Sequence, residues 1–375
     1  MWKKACNMRT LMTKHKKGSV LIIAMWALSV LTLFAVMMGV DSRGKMTFVG
    51  KIGDRDRLRY IAEAGIEKAI IIIAAKGPNP AYDQISDLGG IGTNRYVDKK
   101  IGNGECYVGY DYLDTDSEKI KRWYGVSDCE SRISLNKAGY KEISAIIKIT
   151  TDLDKKNADD LAAAIVDWRD KDDFPLFNGV ESRYYMSLKD PYPSKNSEFE
   201  VLSELFLVRG MTKEIYESII PYVTIYGSGK ININTARETV LAALGLNKTL
   251  VRKIMKFRAG MDREEGTYDD NIFTTAGTIT AELSQAISVS AEEVALLSNL
   301  SSAGILSTVS GFFEIRSVGR VGTKDQVLEV VCVYDRAMVD SGENAIKYWH
   351  ERYQIDPLPK TEVNGETPSL RTPKG

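Results

Sequence analysis

KHKKGSVLIIAMWALSVLTLFAVMMGV, residues 14–40, joins a basic leader to an apolar run with no charge between Ser19 and Val40. As a helix the run is about 33 Å long, enough to cross a hydrocarbon core of roughly 30 Å. Lys14, His15, Lys16 and Lys17 precede it, with Lys3, Lys4 and Arg9 further back. Positive charge stays on the cytoplasmic side of a membrane, so the N-terminus is expected inside and everything after Val40 outside. An ordinary secretory signal would show a shorter core followed by a small-residue cleavage site. Here the small-residue junction in a basic context, Gly18–Ser19, lies before the run. Cutting there would discard the charged leader and keep the helix. A plain signal anchor that stays uncut is the other reading of the same segment.

The chain has 375 residues, 44% hydrophobic and 27% charged. That is a globular composition with room for two or three domains beyond the anchor. Its 50 basic and 50 acidic residues cancel, which argues against a dedicated nucleic-acid binder. Histidine is confined to His15 and His350. This removes Ser/His and Cys/His catalysis and disfavours zinc, so an enzyme is not expected. The cysteines are Cys6, Cys106, Cys129 and Cys332. Cys106 and Cys129 could pair in an oxidising compartment, leaving Cys332 in an apolar strand. Three buried free thiols fit the spacing equally well.

Past the anchor, Leu58, Ile61, Ala62, Gly65, Ile66, Ala69 and Ile73 recur at helical spacing. They predict an apolar stripe on a continuing helix, with Arg55, Arg57, Arg59, Glu63, Glu67 and Lys68 on its other face. Gly39, Gly44, Gly50 and Gly53 predict bending or fraying between anchor and stripe. Gly77, Pro78 and Pro80 end the helix. Residues 81–104 read as loop, Cys106–Tyr112 and Ile120–Val126 as strands around a DTDSE turn. A second strand pair, Gly311–Val318 and Gln326–Tyr334, flanks GRVGTKD. These four strands are expected to form one antiparallel sheet against the N-terminal helix. The stretch between them is helical in pattern. From about residue 355 the tail is polar and Pro-containing and reads as disordered.

That middle carries a weak internal repeat. ISLNKAGYKEISAI (133–146) aligns without gaps to ININTARETVLAAL (231–244), matching Asn136 with Asn234 and Ala138 with Ala236. Asn and Thr suit helix caps, and Thr235 with Glu238 reads as a capping box. Each copy then has a second helix, in which Leu161, Ile165, Trp168 and Arg169 correspond to Leu250, Ile254, Phe257 and Arg258. A third hairpin is expected over 201–223, turning at RGMT. The pattern is that of helix-hairpin-helix units.

Taken in order, these segments resemble the type II secretion minor pseudopilin K family (general secretion pathway protein K). The resemblance covers about residues 14–335. It is carried by the leader ending KKGSVLIIAMWALSVLTLFAV, by RLRYIAEAGIEKAI (57–70), by DCESRISLNKA (128–138), by DWRDKDD (167–173) and by FEVLSELFLVRGMTKEIYESIIPYVTIYGSGKININTA (199–236). It implies an α+β pseudopilin fold: a long N-terminal transmembrane helix packed on a small antiparallel sheet, interrupted by a large all-helical insertion containing helix-hairpin-helix (SAM-like) units. The implied divisions are a leader (1–18), the transmembrane helix (19–76), a first part of the sheet domain (77–132), the insertion (133–305), a second part of the sheet (306–354) and the tail (355–375).

The resemblance further implies cleavage by the prepilin peptidase between Gly18 and Ser19, with N-methylation of Ser19. The fifth residue of the cut chain would be Ile23, where most pilins and pseudopilins carry Glu. A carboxylate in lipid is costly without a partner, and Ile23 cannot pair with a neighbour's N-terminal amine, which fits a subunit at the end of a filament. The implied partners are the I-, J- and H-type minor pseudopilins and the major pseudopilin. The implied place is a bacterial inner membrane, single-pass, with the bulk of the chain in the periplasm and no nucleic acid.

Asp167, Asp170, Asp172 and Asp173 follow a helix and precede Phe174–Pro175. Hard oxygen ligands clustered in a loop suit Ca²⁺, and the resemblance points the same way. The spacing is not that of an EF-hand, and a solvated acidic helix end is the plainer alternative. Asp111, Asp114 and Asp116 form a rival cluster that reads as turn residues. Trp168, Tyr184, Tyr185 and Tyr192 would suit either an interface or a core. Two other functions remain open: a minor pilin of a type IV pilus or DNA-uptake system, using the hairpins on DNA, and a signal-anchored periplasmic binding module.

Overall fold

A computed structural model of the chain describes residues 17–90, 95–114, 119–322, 326–338 and 344–355. Leader residues 1–16, Asp116 and the tail from 356 lie outside the described residues. The chain divides into two units, residues 1–57 and 58–375. Helix α1, Lys17–Ala74, begins in the first and ends in the second.

The first unit is helical from Lys17 onward. Gly39, Gly44, Gly50 and Gly53 leave the helix unbroken, contrary to the expected fraying. A glycine weakens a helix by about 1 kcal/mol without by itself ending it. The large apolar side chains of the run face outward; Leu21 is 66% exposed and Trp26 70%. Among the described residues this is the one helix long and apolar enough to cross a membrane.

In the second unit, the end of α1 lies on an antiparallel sheet. Its main strands are β1 (Val97–Ile101), β2 (Gly104–Asp114), β3 (Lys119–Gly125), β4 (Phe312–Val321), β5 (Gln326–Asp335) and β6 (Ile346–Ile355). The order runs β3–β2–β4–β5–β6, with β1 on the start of β2 and two-residue segments completing the sheet. Register pairs such as Gly319–Cys106 and Ser317–Val108 sew β4 to β2. Strands far apart in sequence thus share one sheet. The predicted stripe is the face that packs: Leu58, Ile61, Ala62, Ile66, Ala69 and Ile73 are all buried with Phe313, Ile315, Leu328 and Val330.

Glycines permit the close contact. A methyl group on Gly65 would overlap the Ser317 hydroxyl, and one on Gly319 would meet the Leu58 carbonyl at 2.7 Å. The expected loop over 81–104 is corrected, since it holds β1 as well as a short helix, Ile85–Leu88; β6 is a further strand beyond the four expected. In β6, KYWHERYQ mixes charges and aromatics on both faces, so no period of two shows.

Between Ile133 and Ser307 the chain is mostly helical and has its own core, including Ile143, Ile146, Leu161, Ile165, Leu241, Leu250 and Ile254. Besides a four-residue helix at Ser182–Tyr185, its helices are α2 (Tyr140–Thr150), α3 (Lys155–Arg169), α4 (Lys213–Ile219), α5 (Glu238–Ala243), α6 (Lys248–Arg258), α7 (Ile279–Ala286) and α8 (Ala291–Ser302). It is not all helix. Ile133–Ser134 pairs in parallel with Val223–Thr224, and Ile231–Asn232 with Leu306–Ser307. The first arm of the third hairpin is a 3₁₀ turn, Leu202–Leu207.

The repeat is physical. The Asn136 side chain donates to the Phe199 and Ile225 carbonyls at 3.0 and 2.9 Å and accepts from the Phe199 amide at 2.8 Å. Asn234 does the same for Phe273, donating and accepting at 2.9 Å. The matched arginines close each copy: Arg169 donates to the Ala138 carbonyl, and Arg258 to the Ala236 carbonyl at 2.6 Å. The aligned asparagines therefore pin distant loops instead of capping helices. The Thr235–Glu238 capping box is likewise absent. Arg237 occupies the N-cap of α5, and the Thr235 hydroxyl donates to Asp128.

A buried polar seam fastens this helical stretch to the sheet. Arg336 grips Asp83 through both terminal nitrogens, at 2.8 and 2.9 Å, with both side chains out of water. Asp128, pushed up to about 6 by burial, accepts from Ser310 at 2.6 Å and from Thr235. Glu130 accepts from the Ser228 amide at 2.7 Å and the Gly311 amide at 2.6 Å.

Gly65→Val should destabilise the second unit by about 1–3 kcal/mol through overpacking against Ser317. Chemical denaturation of the full chain in detergent micelles measures it; an unchanged midpoint would refute the close-contact account.

Candidate metal centre

Helix α3 starts at an Asp154 cap, whose carboxylate accepts from the Asn157 amide at 2.7 Å. It buries Leu161, Ile165 and Trp168, and that phase turns Asp167 inward as well. Asp167 is fully buried, and its carboxylate accepts from the Leu176 amide at 3.1 Å. The chain then loops out and returns through Asn178, in the left-handed region at φ 66°, and Gly179. The Gly179 backbone lies against the Asp167 carboxylate with no room for a Cβ. This return delivers Glu181.

Asp167, Asp170 and Glu181 each offer a carboxylate oxygen, and the three oxygens lie within 4.8 Å of one another. Glu181 is 4% exposed. Asp170 Oδ1 and Glu181 Oε1 are buried and have no hydrogen-bond partner. Burial pushes Asp167 up to about 6, with Asp170 adding to it. Burial pushes Glu181 up to about 7, and the neighbouring aspartates add. Asp170 is raised by burial and by Asp172. Like charges crowded out of water favour a proton or a bound cation. Hard carboxylate oxygens with unused lone pairs fit a calcium ion, which also takes carbonyl and water oxygens.

Of the four expected ligands, two lie in this cluster. Asp167 and Asp170 converge, but Asp172 and Asp173 do not join them. Asp172 accepts from the Phe174 amide at 2.9 Å, and Asp173 from the Ser182 amide at 3.2 Å. They shape the loop instead. Glu181 was missed because it returns from beyond Asn178–Gly179. That turn-forming pair was the signal available in the sequence. The loop tip carries Phe174 and Phe177, 82% and 90% exposed.

The aromatic group divides. Trp168 and Tyr185 are core residues, edge to face with centroids 5.1 Å apart, and Tyr192 stacks on Tyr185 at 5.4 Å. Tyr184 is on the surface. The Cys106–Cys129 disulfide is not formed: Cys106, Cys129 and Cys332 are free and buried. Cys106 lies in β2 beneath Gly65, whereas Cys129 sits in a 3₁₀ turn (Cys129–Ser131) at the foot of the helical stretch. Gly18 and Ser19 fall in α1, and Ile23 lies on it, 65% exposed. The side chains of Asp111 and Asp114, like Asp116, lie outside the described residues.

A long apolar N-terminal helix whose end packs on an antiparallel sheet, with helices set between that sheet's strands, matches the arrangement expected of a pseudopilin fold. Comparison with known proteins narrows the class. A model of the family "Type II secretion system (T2SS), protein K" matches residues 139–228. The chain is 37% identical over 107 residues to type II secretion system protein K of Klebsiella pneumoniae, covering 26% of this chain and 33% of that protein. It is 36% identical over 96 residues to the protein K of Pectobacterium carotovorum subsp. carotovorum, covering 24% and 29%. The chain thus spans about a third of the length of the curated relatives it matches. A solved structure, the GspK-GspI-GspJ complex from the enterotoxigenic Escherichia coli type 2 secretion system, includes a chain similar in fold. The TM-score is 0.55 at 15% identity, over 82% of this chain and 98% of that one. Over residues 139–228 the chain is similar to the type II secretion system protein K family.

The carboxylate cluster sets a pH dependence. Raised folded-state pKa values mean that folding takes up protons. The stability this gives is full below the ordinary carboxylate range and is lost as pH rises through about 6 to 7. In chelator-treated protein the thermal midpoint should therefore fall between pH 4 and pH 7. Glu181→Gln should flatten that fall; an equal slope in the variant would remove the cluster as its cause.

Proposed function

We propose that this chain is a minor pseudopilin of a type II secretion system, placed at the tip of a periplasmic pseudopilus. There it would help start filament assembly with I-, J- and H-type minor pseudopilins, above the major pseudopilin. The observation that carries this reading is the union of an outward-facing apolar α1 with a sheet interrupted by the helical stretch that the family model matches. The similar solved chain comes from a complex with GspI and GspJ, which supports partners of those two kinds.

An apolar rod is stable in lipid and, on extraction, among other apolar rods. Ile23 offers no carboxylate for a subunit above to engage. The paired helices α2–α3 and α5–α6 read as helix-hairpin-helix units, and their bulk would leave no seat for a further subunit. The chain is inserted in the inner membrane before assembly, with residues beyond Val40 in the periplasm. Prepilin peptidase would cut between Gly18 and Ser19, and Ser19 would be N-methylated. Asp167, Asp170 and Glu181 would hold Ca²⁺, neutralising three crowded carboxylates and fixing the loop that carries Phe174 and Phe177.

Three measurements test this. Intact-mass analysis of the membrane-extracted protein should show a chain starting at methylated Ser19; a chain starting at Met1 in cells with active peptidase overturns the processing. Co-purification from detergent should recover I- and J-type partners with the full chain; failure to do so in calcium buffer overturns the tip assignment. Calcium should raise the thermal midpoint at pH 7, and Asp167→Asn should abolish that rise while leaving the pH 4 midpoint close to the parent value.

A further inference from the structure

On the sheet face away from α1, a groove runs beneath the helical stretch. Its first part is a cavity of about 440 Å³ where β2, β4, β5 and β6 meet Arg132, Ile220, Pro221 and Arg237. Its second part, about 330 Å³, lies between β4–β6 and residues 201–203 and 225–226. The two share Glu314, Arg316, Glu329 and Arg352, so they form one continuous channel.

The shared wall is a charge ladder. Arg132 donates to Glu314 at 3.0 Å, and Arg316 bridges Glu314 at 2.9 Å and Glu329 at 3.2 Å. Arg352 closes the ladder on Glu329 at 2.7 Å. Three guanidinium groups thus share two carboxylates. The surrounding arginines hold Glu314 down at about 2, so it remains an anion and the ladder keeps its single excess positive charge. Arg132 Nε is buried with no partner. Arg122 and Arg237 add two more positive groups to the first cavity. Arg237 makes no ion pair or side-chain hydrogen bond among the described residues. The second cavity changes character. Val331, Val333, Leu202 and Ile225 line it, interleaved with the polar groups of Ser203, Tyr226, Tyr348 and His350.

The geometry points to a binding groove for an extended peptide segment that places an Asp or Glu side chain against the arginine ladder and an adjacent apolar side chain in the Val331–Val333 hollow. Charge complementarity selects the carboxylate, because a guanidinium fork matches it with two donors. The volumes suit a ligand larger than a simple ion. Alternating polar and aliphatic lining suits a peptide backbone better than an alkyl chain. The groove shares no lining residue with the Asp167 cluster, and its walls are on the sheet face opposite the one that buries Leu58–Ile73.

Titration calorimetry on the full chain in neutral detergent tests the proposal, using capped tetrapeptides with Asp or Glu between apolar residues. The acidic peptides should bind at least tenfold more tightly than their Asn and Gln counterparts, and binding should weaken with added salt. Arg237→Ala should weaken binding about fivefold with an unchanged thermal midpoint, and Val333→Ser should weaken it without altering the acidic preference. Absence of saturable binding by any acidic peptide overturns the proposal, as does equal affinity for the amide peptides. Inorganic phosphate binding as tightly as the peptides, or decanoate binding more tightly, would also overturn it.

Discussion

The ion pair between Asp83 and Arg336 is the constraint on which the second unit turns. Each side chain is removed from water, so the pair depends on further partners for its polar atoms, although Arg336 Nε has none. Asp83 satisfies this by also accepting from the Ser310 amide at 3.0 Å. Ser310 in turn donates to Asp128, which receives Thr235 and, at 3.4 Å, Asn232. One connected set of polar groups thus reaches from the segment after α1, through the first strands, into the second helical repeat and back to the last strands. The sheet can be assembled from pieces far apart in sequence because this seam fixes where the helical stretch leaves and rejoins it.

The two cores differ in how they are built. On the α1 side, burial is achieved by removing side-chain bulk, so that helix and strands approach through Gly65 and Gly319. In the helical stretch, each repeat has an asparagine that substitutes for a missing strand. Its amide matches both backbone groups of a phenylalanine on a distant loop. An arginine at the end of the second helix then returns to the alanine two residues after that asparagine. Neither device relies on helix propensity, which is why short helices such as α5 persist there. Tertiary contacts supply what six residues alone could not.

Much of this was legible in the sequence. The stripe from Leu58 to Ile73 declared its buried face through period alone. The alignment of Asn136 with Asn234 and of Arg169 with Arg258 foretold equivalent contacts, though not their kind. Asparagine has several uses before a helix, and only the tertiary partner selects one. The carboxylate cluster was half readable for a related reason. Asp167 and Asp170 are neighbours on one helix end, whereas Glu181 arrives through a loop whose path depends on Gly179 fitting over Asp167. Strand β6 shows no strand pattern in the sequence because each of its faces mixes charged and aromatic residues, such as Trp349, Glu351 and Tyr353 on one and Tyr348, His350 and Arg352 on the other.

Burial pushes the thiols of Cys106, Cys129 and Cys332 up to about 11 or 12. Thiolate is the reactive form, so these three are chemically quiet as well as unpaired. Among the described residues, packing and not a covalent bridge therefore holds the fold around them.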